Sequence, residues 1–232
     1  MYTIPARRGR VSVPYTAERE EGPQMRALLL VDIQNDFMPT GALPVADGDA
    51  VVPVADALMR KYSLVVATQD WHPADHGSFA VNHPGTKPGD VIELAGVPQV
   101  LWPAHCVQGT PGAGFHPDLR VVDIDHVVRK GTDPEVDSYS GFFDNARRNP
   151  TGLDTLLKAR TVDEIVIAGL ATDYCVQFTA LDAVSLGYAV TVVADGCRAV
   201  DLAPGDGEKA FGLMRAAGVA VADSADILAV AG

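Results

Sequence analysis

A reactive thiol needs a neighbour to take its proton and a turn to hold it in place. One stretch of this chain offers such a setting. Ile167-Ala168-Gly169-Leu170-Ala171-Thr172-Asp173-Tyr174-Cys175-Val176 begins as a short apolar run and breaks at Gly169, so that Cys175 opens an amphipathic helix through Ala180, Leu181 and Val184. At a helix N-terminus the unpaired N–H groups and the positive end of the dipole favour thiolate and can face an anionic oxygen. Covalent catalysis by Cys175 is the chemistry this arrangement suits. The competing reading is a small buried hydrophobe, as free cysteines usually are. Cys106 and Cys197 lack an evident activating neighbour and read as packed apolar groups.

A second set of residues suits a metal ion. In Asp70-Trp71-His72-Pro73 an Asp-x-His pair leaves a strand in extended conformation, which puts both side chains on one face, where they can share an ion. His105, in Trp102-Pro103-Ala104-His105-Cys106, offers a third ligand and leaves positions open for water or substrate, as at catalytic metal sites. His76, His83, His116 and His126 read as surface or supporting histidines. Neither Gly-x-Gly-x-x-Gly after a strand nor Gly-x-x-x-x-Gly-Lys occurs, which counts against a nucleotide cofactor. The glycine-rich run over 109–114 follows no strand and reads as loop geometry.

The elements that must position these groups alternate between short apolar runs and helical segments, the signature of an α/β chain with a parallel sheet. Strands are expected over 27–31, 64–68, 125–129, 164–168, 189–193 and 219–221, with helices over 49–61, 151–160, from 175 onward, and over 208–217. Asp32, Asp70, Lys130 and Cys175 then fall at or just past strand ends, and in open parallel sheets that edge gathers ligands. The stretch 71–121, rich in Pro, Gly and His, has no strong periodicity and reads as a long functional loop.

Composition narrows the class. With 232 residues, the chain fits one large domain. A formal net charge of -12 excludes the basic face that nucleic acid or an anionic membrane would require. Three widely spaced cysteines argue against a disulfide framework and for a reducing compartment. Residues 1–24 carry Arg7, Arg8 and Arg10 without an apolar core of signal-peptide length, and read as an N-terminal extension on a single domain over 25–232. A cytoplasmic homo-oligomer is expected.

The ordered blocks Val31-Asp32-Ile33-Gln34-Asn35-Asp36-Phe37, Asp70-Trp71-His72-Pro73, Trp102-Pro103-x-His105-Cys106-Val107-Gln108-Gly109, Lys130-Gly131, Asp137-Ser138-Tyr139-Ser140 and Gly169 to Val176 resemble the nicotinamidases (pyrazinamidases) of the isochorismatase-like cysteine hydrolases. The resemblance implies a three-layer, doubly wound, mainly parallel six-stranded sheet with helices on both faces. It implies hydrolysis of nicotinamide, and also of pyrazinamide, with Cys175 as nucleophile, Asp32 as general base and acid, and Lys130 as the cation that polarises both. Backbone N–H groups of Ala171 and Cys175 would form the oxyanion hole beside a cis Leu170–Ala171 peptide. Asp70, His72 and His105 would hold one divalent metal, zinc first, iron or manganese as alternatives. A fourth ligand would come from His76, Ser78, His83 or water. Phe37 and Trp102 would wall the pocket, with Tyr139 lining it. The rival readings are a relative acting on carbamoyl or ureido compounds, a ligand-binding protein that keeps the fold, and a hydrolase whose metal activates water.

Overall fold

The computed structural model describes residues 25–229; the expected extension over 1–24 lies outside the described residues. The described strands are β1 (Met25–Val31), β2 (Val65–Asp70), β3 (Val91–Leu94), β4 (Val97–Val100), β5 (His126–Lys130), β6 (Val162–Leu170), β7 (Ala189–Arg198) and β8 (Ala220–Ala222). The α-helices are α1 (Val51–Met59), α2 (Leu153–Ala159), α3 (Gln177–Ser185), α4 (Asp206–Ala216) and α5 (Ser224–Ala229). Among the described residues no helix is long and apolar enough to cross a membrane.

Six strands form one sheet in the order β5-β2-β1-β6-β7-β8, with every neighbouring pair parallel. The chain winds outward from β1 in one direction, then restarts at β6 and winds outward in the other. β1 and β6 therefore flank the switch point, where a crevice opens beyond the carboxyl ends of the strands. β1 shows how both faces come to be covered. Ala27, Leu29 and Val31 point into one core with α2, α3 and α4, while Leu28 and Leu30 point into another with α1. The two strands lie close enough that a Cβ on Gly169, at φ 131°, would sit 2.0 Å from the Val31 carbonyl oxygen, so this position admits glycine only.

The architecture is the expected one, with three local differences. First, the region expected as one long loop contains the antiparallel hairpin β3–β4. Its two connecting residues, Ala95 and Gly96, both have positive φ, 55° and 83°, the backbone that matches strand twist in a tight hairpin. Second, the helix expected to open at Cys175 starts as a π-helical turn over Thr172–Val176 and becomes α-helical only at Gln177. The Ala171 carbonyl accepts from the Val176 N–H, five residues on, and from the Tyr174 N–H, which widens the turn. Third, β6 and β7 extend beyond their expected ends, and α5 follows β8.

Candidate active site

Four side chains converge at the switch point because four strand ends lie side by side there. Asp32 follows β1 with φ 48°; Lys130 closes β5; Asp70 closes β2 between them; Cys175 sits in the turn after β6. Lys130 is 2% exposed. Its Nζ donates to Asp70 Oδ1 at 2.5 Å, to the Ser138 carbonyl at 2.9 Å and to Cys175 Sγ at 3.3 Å. Those three bonds use every donor an ammonium has. Asp32 Oδ2 also lies 2.8 Å from Nζ in a fully buried ion pair, a fourth acceptor for three donors. Its other oxygen accepts from Thr68 Oγ1 at 2.6 Å. The carboxylate is thus fixed between Thr68 and Lys130 beside the thiol: Asp32, Asp70 and Cys175 ligand atoms all lie within 4.8 Å of one another.

Burial sets the charges. It works against the Lys130 ammonium, but Asp32 and Asp70 outweigh it and hold Lys130 well above its ordinary pKa. Burial would likewise raise Asp70; Lys130, His72 and His105 overcome that and keep it well below the carboxylate range. Asp32 is raised, burial outweighing the pull of Lys130. The Cys175 thiol is also pushed well above its ordinary value by burial, despite Lys130. Burial therefore opposes the thiolate that Lys130 and the helix terminus favour. Cys175 lies in the wide π turn that opens into α3, and there loss of water works against the attraction of the ammonium.

The expected metal residues also come together. Asp70 Oδ2 lies 3.5 Å from His72 Nε2 and 3.8 Å from His105 Nε2. The far nitrogens face carbonyl oxygens, His72 Nδ1 that of Gly131 at 2.9 Å and His105 Nδ1 that of Pro103 at 2.8 Å. A carbonyl only accepts, so each Nδ1 donates a proton and each Nε2 is free to ligate, the arrangement that fixes metal-binding histidines elsewhere. The donor set therefore fits a divalent ion, with one hard oxygen and two imidazole nitrogens. Gly131 makes room for it: at φ 63°, a Cβ there would meet His72 Cε1 at 2.3 Å. Of the proposed fourth ligands, His83 Nε2 is engaged by the Gly77 carbonyl at 2.7 Å, and Ser78 Oγ by His76 Nδ1 at 2.7 Å.

A pocket connects the two groups, and Phe37, Trp102, Tyr139, His105, Ala171 and Cys175 all line it. Asp32 and Lys130 lie beneath it. Tyr174 stands edge-on to both Trp102 and Tyr139, with ring centroids 4.9 and 5.3 Å apart. Tyr174, Leu43, Val200 and Asp137 are pocket residues the sequence did not single out for this wall. Asp137 stood in one of the resembling blocks without a role; Leu43 and Val200 carried no signal. Cys106 and Cys197 are buried away from the pocket, as expected.

A cysteine, a carboxylate and an ammonium gathered at the switch point of an all-parallel, doubly wound sheet define the class, and the chain belongs to the isochorismatase family, matching the Isochorismatase domain over residues 26–226. It is 52% identical over 205 residues to the nicotinamidase of Escherichia coli (strain K12), covering 87% of this chain and 96% of that one. Among solved structures, it is similar to an Acinetobacter baumanii nicotinamidase pyrazinamidease, with TM-score 0.85 and 46% identity over 88% of this chain and 99% of that one. It is also similar to a pyrazinamidase of Pyrococcus horikoshii in complex with zinc, with TM-score 0.70 and 38% identity over 85% and 98% of the two chains.

Proposed function

We propose that this chain is a nicotinamidase that hydrolyses nicotinamide to nicotinate and ammonia through a Cys175 thioester, and that it accepts pyrazinamide as well. The observation that carries the reading is the buried Lys130 ammonium, shared by Asp32, Asp70 and Cys175 Sγ, which holds a carboxylate base beside the thiol. The similarity to nicotinamidases supplies the substrate.

The residues act as follows. Asp32 Oδ2 takes the Sγ proton, and its raised pKa makes it a stronger base than an ordinary carboxylate. Sγ attacks the carboxamide carbon while Lys130 stabilises the negative charge now shared by Sγ and Asp70. The N–H groups of Ala171 and Cys175 face the oxyanion. Asp32 passes its proton to the departing nitrogen, which leaves as ammonia. Water then gives a proton to Asp32 and its oxygen to the acyl carbon; the proton returns to Sγ as nicotinate leaves. Asp70, His72 and His105 would hold one divalent ion, for which zinc is the first candidate. Such an ion supplies a Lewis-acidic anchor for the ring nitrogen. Phe37, Trp102 and Tyr139 clamp the flat ring and exclude water.

Ammonia release from nicotinamide and pyrazinamide tests this in wild type, in Cys175→Ala, and in chelated protein before and after zinc is restored. Activity that depends on both the thiol and the metal is expected. Retention of most of the rate by Cys175→Ala would show that metal-activated water is the nucleophile instead.

A further inference from the structure

Gln34 is a fully buried amide that the reaction above leaves without a task. β1 ends at Val31, and at Asp32 the backbone takes φ 48° and turns, with the Gln34 N–H donating to the Asp32 carbonyl at 2.8 Å. The registered pairs of β1 and β2 stop at Leu30 and Ala67, so Asp70, the last residue of β2, lies past all of them. On its other side Asp70 is registered against Lys130 of β5. Toward β1 its buried peptide groups need a partner that the strand itself does not supply.

The Gln34 side chain is that partner. Its Oε1 accepts from the Asp70 N–H at 2.8 Å, and its Nε2 donates to the carbonyls of Asp70 and Ala113, each at 2.9 Å. An amide carries the same donor and acceptor pair as a peptide group, so Gln34 continues the β1–β2 ladder beyond the end of the backbone strand. A carboxylate at this position could serve the Asp70 N–H alone. The residue held in this way is the one whose carboxylate is divided between Lys130 Nζ and the imidazoles of His72 and His105. Its side chain is short, so a tilt of the Asp70 backbone redirects both oxygens at once, and a misplacement of about 1 Å at such a group costs roughly 100-fold in rate.

We propose that Gln34 is the positioning residue for Asp70, and that by clamping the Asp70 backbone it sets the thiol side and the imidazole side of the pocket together. It acts through Asp70 and does not touch the substrate. The proposal rests on the roles given to Asp70 in the preceding section. Gln69 supplies a comparison within the same layer. It is 7% exposed, its Nε2 donates to the same Ala113 carbonyl at 2.9 Å, and its Oε1 accepts from Arg129 Nε at 3.2 Å. Its bonds go to Ala113 and Arg129 rather than to the peptide groups of Asp70, so it shares the surroundings of Gln34 without the clamp.

The test is a double-mutant cycle on the full chain, read as kcat for ammonia release from nicotinamide and as the Co²⁺ dissociation constant after removal of bound metal. Gln34→Met keeps the length and loses the clamp; it should lower kcat about 100-fold and weaken Co²⁺ about tenfold or more. On an Asp70→Asn background, which itself loses heavily in both readouts, the same change should cost less than about twofold more, because the group it aims is already gone. A full further loss in the double variant overturns the proposal, since a purely structural role adds to whatever Asp70→Asn does. Wild-type values of either readout in Gln34→Met overturn it as well. Gln69→Met should stay near wild type in both; losses equal to those of Gln34→Met would trace the effect to Ala113 and sink the clamp. A wild type that binds no Co²⁺ ends the metal reading and leaves the kcat cycle to decide, and one that releases no ammonia ends the nicotinamidase reading and leaves the Co²⁺ cycle to decide. Should Gln34→Met fail to fold, Gln34→Glu keeps the acceptor for the Asp70 N–H, loses the donor, and carries the same cycle with the same outcomes.

Discussion

Cys175 and Cys197 are two thiols in one hydrophobic core, 6% and 3% exposed. Burial raises both, Cys197 to about 12. What separates them is what the neighbouring strands deliver. Cys197 lies within β7, with its backbone registered against Gly169 of β6, and the cation acting on its sulfur is the neighbouring Arg198, which burial outweighs. Cys175 lies past the end of β6, where Lys130 reaches it across β1 and β2, and Asp32 stands beside it. Burial by itself makes a thiol inert. The same burial strengthens a fixed ammonium and a fixed base, and only the strand-end position has both.

That contrast is broken most directly by exchanging the fates of the two thiols. Cys175→Ala should lower the rate of ammonia release from nicotinamide by at least about 10⁴-fold, the scale of losing a nucleophile, whereas Cys197→Ala keeps a rate near that of wild type. Comparable losses in both variants would end the distinction. Lys130→Met should come next. Removing the cation leaves Asp32 and Asp70 uncompensated in a dry site, a loss of about 3–5 kcal/mol in denaturant unfolding, and it removes activity as well. A variant of wild-type stability would mean that the carboxylates are not ionised together.

Gly131→Ala sharpens the comparison from the metal side. The new Cβ must displace the His72 ring, so zinc affinity should fall roughly tenfold or more while the Lys130 contact to Cys175 persists; equilibrium dialysis against zinc reads the first. The remaining contrast is the titration of Cys197. A thiol whose pKa is raised from 9.0 to about 12 stabilises the fold fully below pH 9 and loses that contribution as pH climbs toward 12. Cys197→Ala should therefore lose stability less steeply than wild type over that window, by up to about 1.4 kcal/mol per pH unit in urea unfolding. Parallel curves would place the Cys197 titration near its ordinary value.

The strand-borne half of the site was legible in sequence because side-chain period and strand length are local. The apolar runs at Ala27 to Val31 and before Gly169 fix where the strands end, and Asp32, Asp70 and Lys130 follow from such ends. What was misread depends on hydrogen-bond phase or on distant contacts. The π turn arises from which N–H meets the Ala171 carbonyl, a choice that leaves no periodic trace. The hairpin is short, and Pro98 in β4 masks its strand character; Ala95-Gly96 between apolar runs was the available signal. Gln99 meets Asp137 across 38 residues of sequence, and nothing in either segment announces the other. His76 read as a supporting histidine, and its complete burial against His72 becomes visible only once the loop is folded.

Asp70 divides its two oxygens, Oδ1 to Lys130 and Oδ2 to His72 and His105. One small, rigid carboxylate thereby joins the thiol side of the pocket to the imidazole side, and the two sides share a single free-energy ledger. Whatever draws electron density toward Oδ2 loosens the grip of Oδ1 on the ammonium, and through it the balance between thiol and thiolate. By reciprocity, acylation or protonation of Sγ is felt among the imidazoles, so occupancy at one end of the pocket and charge at the other are thermodynamically linked.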